Sequence, residues 1–162
     1  MTLPGIPFSH PLTSLIEDHL ADNGLWANDC LKETPDEAIY RFCDSHGSTV
    51  VLRLYRHQNE MEELKYWLCF ELGVGLIPKE NAAKTLHQVC VGLHTCFVPV
   101  RAAAMPYDES CEILILIVRA DVDLISRSSV VPLLEMVSAI SFELRISYGL
   151  HSATKASAGD EN

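Results

Sequence analysis

The sequence predicts an α+β fold in which three helices pack against a single antiparallel sheet of about five strands. Three segments repeat apolar residues at intervals of three and four positions, which is the period of an amphipathic helix. Five other segments are short apolar or alternating runs of the kind that form strands. Short polar turns join neighbouring strands, and such turns favour antiparallel pairing. Along the chain these segments follow the order α-β-β-β-α-β-β-α. Helices packed on one sheet are the expected arrangement, because it buries the apolar side of every element.

The first helix is predicted over residues 11–23. Pro11 suits its first turn, where a missing N–H leaves no bond unmade, and Asn23-Gly24 provides a left-handed stop. One apolar stripe runs along this helix and consists of Leu12, Leu15, Ile16 and Leu20. Residues 25–37 are then expected to form a long connection.

Three strands are predicted next, over residues 38–43, 49–57 and 64–72. Polar connections between them predict an antiparallel meander. Alternation in the middle strand places side chains on two opposite faces, namely Val51, Arg53 and Tyr55 against Val50, Leu52 and Leu54. The third strand has one apolar face made by Tyr66, Leu68, Phe70 and Leu72.

Glycines interrupt the chain after this meander. Gly73 and Gly75, followed by Pro78, predict a bulge or an exit from the sheet. A second helix is expected over residues 79–93. Its apolar face contains Ala82, Ala83, Leu86, Val89, Cys90 and Leu93.

The last three elements are two strands and a long helix. The strands are predicted over residues 98–104 and 111–119, and the second of them is the most apolar of all, which suits the interior of the sheet. The helix is predicted over residues 129–148. Pro132 lies in its first turn and Gly149 ends it.

The chain of 162 residues suits one domain, predicted over residues 1–150, and its 48% apolar content suffices for a core. The small, polar residues 151–162 predict a disordered tail. The N-terminal residues combine prolines with an absence of Lys and Arg, so no secretory signal is expected. No apolar run approaches the length of a membrane span.

The overall charge is acidic, with 12 Lys and Arg against 22 Asp and Glu and a net charge of −10. This balance argues against binding to nucleic acids or to anionic lipid, because both need a basic surface. It leaves open the roles of an acidic surface, such as docking a basic or amphipathic segment of another protein.

The six cysteines indicate a reducing environment. They are spread through the chain without a CxxC pair, at Cys30, Cys43, Cys69, Cys90, Cys96 and Cys111. Several lie in apolar runs, where Cys behaves as a small apolar residue. We therefore expect reduced thiols and a cytoplasmic location.

One group of residues has the chemistry of a metal site. His87, Cys90 and His94 follow one another at i, i+3 and i+7, which places them on one side of the second helix, and Cys96 lies nearby. The alternative is that Cys90 belongs to the core and the histidines border it. The second interpretation is favoured, so no metal or cofactor is predicted.

Catalytic signatures are weak. Cys43 and His46 form a thiol–imidazole pair across a turn, but no oxyanion hole accompanies them. The glycines at 73 and 75 lack the third glycine of a dinucleotide-binding loop. The sequence contains no GxSxG, Walker or HExxH motif. We therefore predict no catalytic residues and favour a binding protein over an enzyme.

Over residues 11–148 the chain resembles bacterial type III secretion chaperones of the Tir/effector-binding class and the related YbjN-like domains. The resemblance rests on the opening helix and on the passage FELGVGLIPKENAAKTLHQVC, which leads from a strand into the second helix. It also rests on the closing passage VRAAAMPYDESCEILILIVRADVDLISRSSVVPLLEMVSAI. It implies the same α+β order of elements.

The resemblance further implies a non-enzymatic, cytoplasmic homodimer that captures an extended segment of a secreted effector. The implied dimer interface on the second helix consists of Leu86, Val89, Cys90 and Leu93. The implied partner-binding residues, on the first helix and the meander, are Leu12, Ile16, Leu20, Val51, Tyr55, Tyr66 and Trp67. Tyr66 and Trp67 alternate in face, so the less buried of the two is the better contact. The alternatives are a YbjN-like regulatory domain without a secretion client and a small metal-binding protein.

Overall fold

Six strands of the chain form one antiparallel sheet, and three helices accompany it. The computed structural model describes residues 11–22, 30–44, 46–58, 60–61, 63–94, 100–122 and 129–151. The elements are α1 Pro11–Asp22, β1 Cys30–Thr34, β2 Glu37–Cys43, β3 Thr49–Gln58, β4 Leu64–Pro78, α2 Ala82–Leu93, β5 Val100–Pro106, β6 Cys111–Asp121 and α3 Val130–Tyr148. The α+β class and the single antiparallel sheet agree with the prediction.

The number of strands differs from the prediction at residues 25–37. The predicted long connection contains β1, which pairs with β2 through the two-residue turn Pro35-Asp36. Arg56 of β3 holds this turn, since its Nε donates to Asp36 Oδ1 at 2.7 Å and its N–H donates to the Asp36 carbonyl at 2.9 Å. The short sequence CLKET shows no clear alternation, so the free edge of β2 rather than a local pattern makes it a strand. The order is therefore α-β-β-β-β-α-β-β-α.

The order of strands across the sheet is β1-β2-β3-β4-β6-β5. The first four strands form the antiparallel meander, and the β5–β6 hairpin joins it through β6. The apolar β6 lies inside the sheet, between β4 and β5. The two edges are the short strand β1 and the strand β5.

The core lies on one face of the sheet, which we call the covered face. Its largest fully buried side chains include Tyr40, Leu52, Leu54, Leu68, Phe70, Leu72, Leu114 and Leu116. Each helix adds buried residues to the same cluster, for example Ile16 from α1, Val89 from α2 and Val137 from α3. Full burial of one such aliphatic or aromatic side chain contributes about 1.5–3 kcal/mol. Because the buried residues of all three helices join this one cluster, the helices cover one of the two faces that strand alternation creates.

Strand β4 continues past the point where we predicted its end. Of the two predicted alternatives, the glycines form the bulge, between Gly73 and Gly75, and not an exit from the sheet, because the pairing with β6 continues to Pro78 instead of stopping at Leu72. The partner strand β3 pairs with β4 only as far as Leu72. Beyond that point His151 pairs with β4, and its carbonyl accepts a 2.8 Å hydrogen bond from the Leu76 N–H.

Gly75 is required by this close approach. A Cβ built at this position would lie 2.7 Å from Leu150 Cβ and 2.9 Å from the His151 carbonyl oxygen. Any side chain larger than hydrogen would therefore push the C-terminal segment away from β4. The predicted tail begins at this paired residue, and residues 152–162 lie outside the described part of the chain.

The remaining bounds differ from the predictions by a few residues. A short 3-10 turn, Lys79–Asn81, precedes α2, and α3 begins one residue later than predicted. Strand β5 extends to Pro106 because it pairs with β6 along its whole length. Gly149 ends α3 in the left-handed conformation, with φ of +61°, as the sequence predicts. Among the helices described, none has both the length and the apolar content needed to cross a membrane.

Candidate functional site

The candidate site is the face of the sheet that points away from the core, which we call the open face. Its residues come from β2, β3, β4, β5 and β6. They include Glu37, Ile39, Arg41, Val51, Arg53, Tyr55, His57, Lys65, Trp67, Cys69, Glu71, Arg101, Ile117, Arg119 and Asp121. All these side chains are half-buried or exposed, whereas most of their neighbours along the strands are buried in the core.

The strand register arranges the centre of the open face in three rows. The first row contains Glu37, Tyr55, Trp67 and Asp121. The second contains Ile39, Arg53, Cys69 and Arg119. The third contains Arg41, Val51, Glu71, Ile117 and Arg101. Side chains directly opposite one another in such rows have Cβ atoms about 4.5–5.5 Å apart, so neighbours within a row are in contact range.

Two arginines stack on two aromatic rings at the centre of this face. The Arg119 guanidinium lies 4.3 Å from the centroid of the Trp67 ring and 5.9 Å from that of Tyr55. The Arg53 guanidinium lies 5.4 Å from the Tyr55 ring, and its Nε is 2.5 Å from Glu37 Oε1. Cation–π contacts of this kind contribute about 0.5–1 kcal/mol at exposed sites. We call Arg53, Tyr55, Trp67 and Arg119 the arginine–aromatic cluster.

The charge of the open face is opposite to that of the molecule. Five basic side chains (Arg41, Arg53, Lys65, Arg101 and Arg119) face three acidic ones (Glu37, Glu71 and Asp121), a balance of +2. Because the whole chain carries −10, the rest of it carries −12. The basic residues are therefore concentrated where the aromatic rings are.

Most of the arginines on the open face are available to a ligand. Arg41, Arg101 and Arg119 are exposed, and none of them makes an ion pair with a carboxylate in the described part of the chain. By contrast, Arg53 pairs with Glu37, and Lys65 Nζ lies 4.0 Å from Asp121 Oδ2. A guanidinium presents five N–H donors in a fork that matches a carboxylate.

Cys69 lies between Arg53 and Arg119 in the second row, but it is not an activated nucleophile. Burial raises the pKa of the Cys69 thiol, and Glu71 raises it further, while the two arginines lower it by less. The thiol is therefore protonated at neutral pH, and a protonated thiol is a poor nucleophile and a poor metal ligand. This residue acts as a small apolar contact within the open face.

The seven predicted partner-binding residues are divided by the structure. Val51, Tyr55 and Trp67 lie together on the open face. Ile16 is buried, with 3% of its side chain exposed, and Tyr66 packs partly against the core on the covered face. The side chains of Leu12 and Leu20 lie outside the described part of the structure. Tyr66 and Trp67 are both half-buried, so burial does not distinguish them. They differ in the face on which they lie, since Tyr66 is on the covered face and Trp67 is on the open face.

The predicted dimer residues on α2 lie mostly within the chain's own core. Val89 and Leu93 are 1% and 8% exposed, and Leu86 packs partly against the same cluster. Cys90 is half-buried beside a cavity of about 280 Å³ that also touches His94, Val100, Arg101 and Ala102. In the single chain, Val91 is the most exposed large apolar residue of α2, at 55%.

The metal and thiol groups singled out from the sequence have ordinary surroundings. Within the described ranges, no three His, Cys, Asp or Glu side chains are placed to hold a metal ion, and His87 and His94 are exposed. Cys96 lies outside those ranges. Cys43 is exposed at the end of β2, and the His46 ring stacks on Phe142 with 4.4 Å between centroids. These arrangements offer no support for a metal centre or a thiol catalyst.

A second polar cluster, which the sequence analysis missed, joins the β2–β3 turn to α3. Asp44 Oδ1 accepts hydrogen bonds from the N–H groups of His46 and Ser48 at 2.9 and 2.7 Å. Asp44 Oδ2 accepts one from Ser138 Oγ at 2.6 Å. Arg145 donates to the carbonyl oxygens of Val74 and His46 at 2.8 and 3.0 Å, and also to Ser48 Oγ.

This cluster fixes the turn and is not a reaction centre. Both oxygens of Asp44 are occupied by donors from the protein, and Ser48, Ser138 and Ser141 are buried. Satisfied buried polar networks of this kind rigidify a fold. The available signal in the sequence was the pair of serines three residues apart within the apolar stripe of α3, with Arg145 four residues further on.

A groove between α2 and α3 is a second concave feature of the described surface. It has a volume of about 380 Å³ and is lined mainly by apolar side chains, including Val89, Leu93, Met136, Ile140 and Leu144. Glu143 is the charged residue at its wall. The polar side chains that line the groove, and that could fix the orientation of a ligand, are Glu143, Ser147 and Tyr148.

The chain matches no protein-family model, no curated protein and no solved structure. What the site can bind is therefore inferred from the residues and the geometry of the open face. The open face combines Trp, Tyr and Arg with aliphatic side chains, and these residue types dominate the energetically important centres of protein interfaces. It offers stacking, apolar contact and charge-assisted hydrogen bonds, which are means of binding a partner.

Proposed function

We propose that this protein is a non-enzymatic polypeptide-binding chaperone or adaptor, which holds an extended segment of another protein against the open face of its sheet. The observation that carries the proposal is the arginine–aromatic cluster, set among half-buried aliphatic side chains on the face opposite the core. Half-buried Trp and Tyr side chains bordered by arginine are the typical anchors of a protein interface.

An extended chain suits the dimensions of this face. Its alternate side chains point the same way and repeat about every 6.5–7 Å, so several of them can reach a flat surface at once. Trp67 and Tyr55 offer rings for apolar anchors, and Val51, Ile39 and Ile117 offer aliphatic contacts in the adjoining rows. The strongly acidic remainder of the molecule keeps such a complex soluble.

The fuller form of the proposal is a cytoplasmic homodimer that binds a secreted effector, like the type III secretion chaperones that the sequence resembles. Two observations support it. Apart from the additional edge strand β1, the order of elements is the expected one. Cys43, Cys69, Cys90 and Cys111 are unpaired thiols, which suits a reducing compartment.

Light scattering on reduced, untagged protein tests the dimer. We expect the mass of two chains. The mass of one chain would remove the homodimer from the proposal, while the binding role of the open face would remain to be judged by the next experiment.

Binding is tested by panning a display library of random 15-residue peptides against the wild type and three variants. We expect selected peptides to bind the Trp67→Ala and Arg119→Ala variants at least about tenfold more weakly, the scale of an interface anchor. Ile146→Ala is the matched control, because Ile146 is a 61% exposed apolar residue on α3, away from the open face. Circular dichroism confirms that each variant is folded.

Two results would refute the proposed function. One is a library from which the folded wild type selects no peptide. The other is a set of selected peptides whose affinity is the same for the wild type and for both open-face variants.

A further inference from the structure

We infer that the open face selects segments in which carboxylates are interspersed with apolar residues, so that its partners are acidic although the protein itself is acidic. This inference rests on the proposed function and names the chemistry of the partner. It starts from the balance of +2 on the open face, against −12 for the rest of the chain. A segment of that composition is complementary to the face in both charge and apolar character.

The register places cationic groups at regular distances across the face. Arg53 and Arg119 flank Cys69 in the second row, so their Cα atoms are separated by two strand spacings, roughly 10 Å. Arg41 and Arg101 stand at the two ends of the third row. A segment lying on the face therefore meets an arginine near each end and near its middle.

Arg119 is the best prepared of these groups. Stacking on Trp67 restricts its guanidinium, yet the residue remains exposed and has no carboxylate partner among the described residues. A guanidinium already held in place loses less conformational entropy when it binds a carboxylate. Its position over the ring also brings the bound carboxylate beside an apolar surface, where a neighbouring apolar side chain of the segment can pack.

A polypeptide fits these observations better than a nucleic acid, which would also be anionic and could stack on the rings. Single-stranded nucleic acid carries a phosphate at every nucleotide and needs a continuous basic groove. Here Glu37, Glu71 and Asp121 lie among the arginines, and the surrounding surface is strongly acidic. A peptide with two or three carboxylates can match individual arginines and avoid these acids.

The test uses three fluorescein-labelled 12-residue peptides that differ only in charge. Leu, Phe and Val occupy alternate positions, three of the intervening positions are all Glu, all Gln or all Lys, and the rest are Ser. Fluorescence anisotropy at low salt measures their affinities. We expect the Glu peptide to bind about tenfold more tightly than the Gln peptide and the Lys peptide to bind most weakly, since two or three exposed ion pairs contribute on that scale.

Two variants locate the effect. In Arg119→Gln the preference for Glu over Gln should fall to about threefold or less, while the affinity for the Gln peptide changes little. Lys84→Gln is the matched control, because it removes an exposed positive charge from α2, outside the open face, and should leave the preference unchanged. Raising the salt concentration should reduce the preference in the wild type.

Each outcome has a separate meaning. Equal affinity for the Glu and Gln peptides, or a preference that survives Arg119→Gln and Arg101→Gln together, would overturn this inference and leave the polypeptide-binding function intact. Binding of none of the peptides would count against the proposed function and remove this inference with it. Tighter binding of a 12-nucleotide oligothymidine than of the Glu peptide would also overturn it, in favour of nucleic acid.

Discussion

The two faces of the same sheet follow opposite rules. Within β3, Leu52 and Leu54 are completely buried, whereas Arg53, which lies between them, and Tyr55 remain accessible on the other side. The covered face is mainly apolar where the helices exclude water from it, and Arg56 lies at its margin opposite Tyr66. The open face mixes rings, aliphatic side chains and arginines because part of each group keeps its contact with water. The residues that stabilise the fold and those proposed to bind a partner therefore lie on different sides of the same strands.

This separation has a physical consequence for substitution. A change on the covered face alters packing in a close-packed interior, where even one methylene group is felt. A change on the open face alters an exposed ion pair or a stacking contact, and such contacts contribute little to folding. The open face can therefore be altered to test the proposed binding while the fold is kept.

Neighbouring residues of β4 provide the strongest test of this comparison. Phe70 is completely buried, and Phe70→Ala should lower the free energy of unfolding by about 3–5 kcal/mol, because it removes apolar contacts and leaves a cavity. Glu71→Ala, the next residue but on the open face, should change it by no more than about 0.5 kcal/mol. Urea unfolding measures both. A large loss in Glu71→Ala would mean that the open face contributes to the fold after all.

Substitution of two glycines by alanine should change the free energy of unfolding by smaller amounts and in opposite directions. Gly75→Ala should lower the free energy of unfolding by about 1–3 kcal/mol, because the new Cβ would meet Leu150 and His151 at less than 3 Å. Gly92→Ala in α2 meets nothing within 4 Å and should raise it by about 0.5–1 kcal/mol, since alanine favours a helix. Thermal unfolding compares the two. A neutral Gly75→Ala would show that the contact between β4 and the C-terminal segment is not maintained in solution.

The pH dependence of stability gives the smallest effect. Burial raises the pKa of the Cys69 thiol in the folded state. The contribution of this thiol to folding stability is therefore fully present below its unfolded pKa and is lost as pH rises through its folded pKa. Stability should therefore fall slightly more between pH 7 and pH 10 in the wild type than in Cys69→Ala. Urea unfolding at both pH values measures the difference. Identical losses in the two proteins would show that Cys69 is as accessible to water in the folded chain as in the unfolded one.

Alternation alone predicted much of the sheet and the division of its faces. The two sets of side chains in β3 lie on opposite faces as predicted, and Tyr66 and Trp67 do so in β4. These predictions succeeded because side chains of a strand alternate by simple geometry. The helices were equally predictable from the spacing of their apolar residues, including the end of α3 at Gly149.

Features that depend on distant partners were not predictable in this way. β1 exists because β2 has a free edge, and the extension of β4 depends on pairing with β6 and with His151. The contacts of Arg145 with the β2–β3 turn join residues about a hundred positions apart. No local pattern carries such information, because it arises only when the elements pack.

The net charge shows the same limit for the candidate site. An overall charge of −10 leaves open the docking of a basic or amphipathic segment, yet the arginines gather on one face and make that face locally basic. The net charge of a chain does not show where its charged residues lie in the fold. The strand register, which brings Arg53 and Arg119 to either side of Cys69, is what concentrates this charge.

The sequence by itself determined the α+β class, the three helices, five of the six strands and the division of side chains between the two faces in β3 and β4. These follow from periodicity, since an apolar stripe or an alternating strand must bury one particular side. Only the tertiary structure decided the sixth strand, the length of β4 and the gathering of arginines around Trp67 and Tyr55. The physical reason is that pairing between strands sets which residues become neighbours, and charge, stacking and access to a partner depend on neighbours in space.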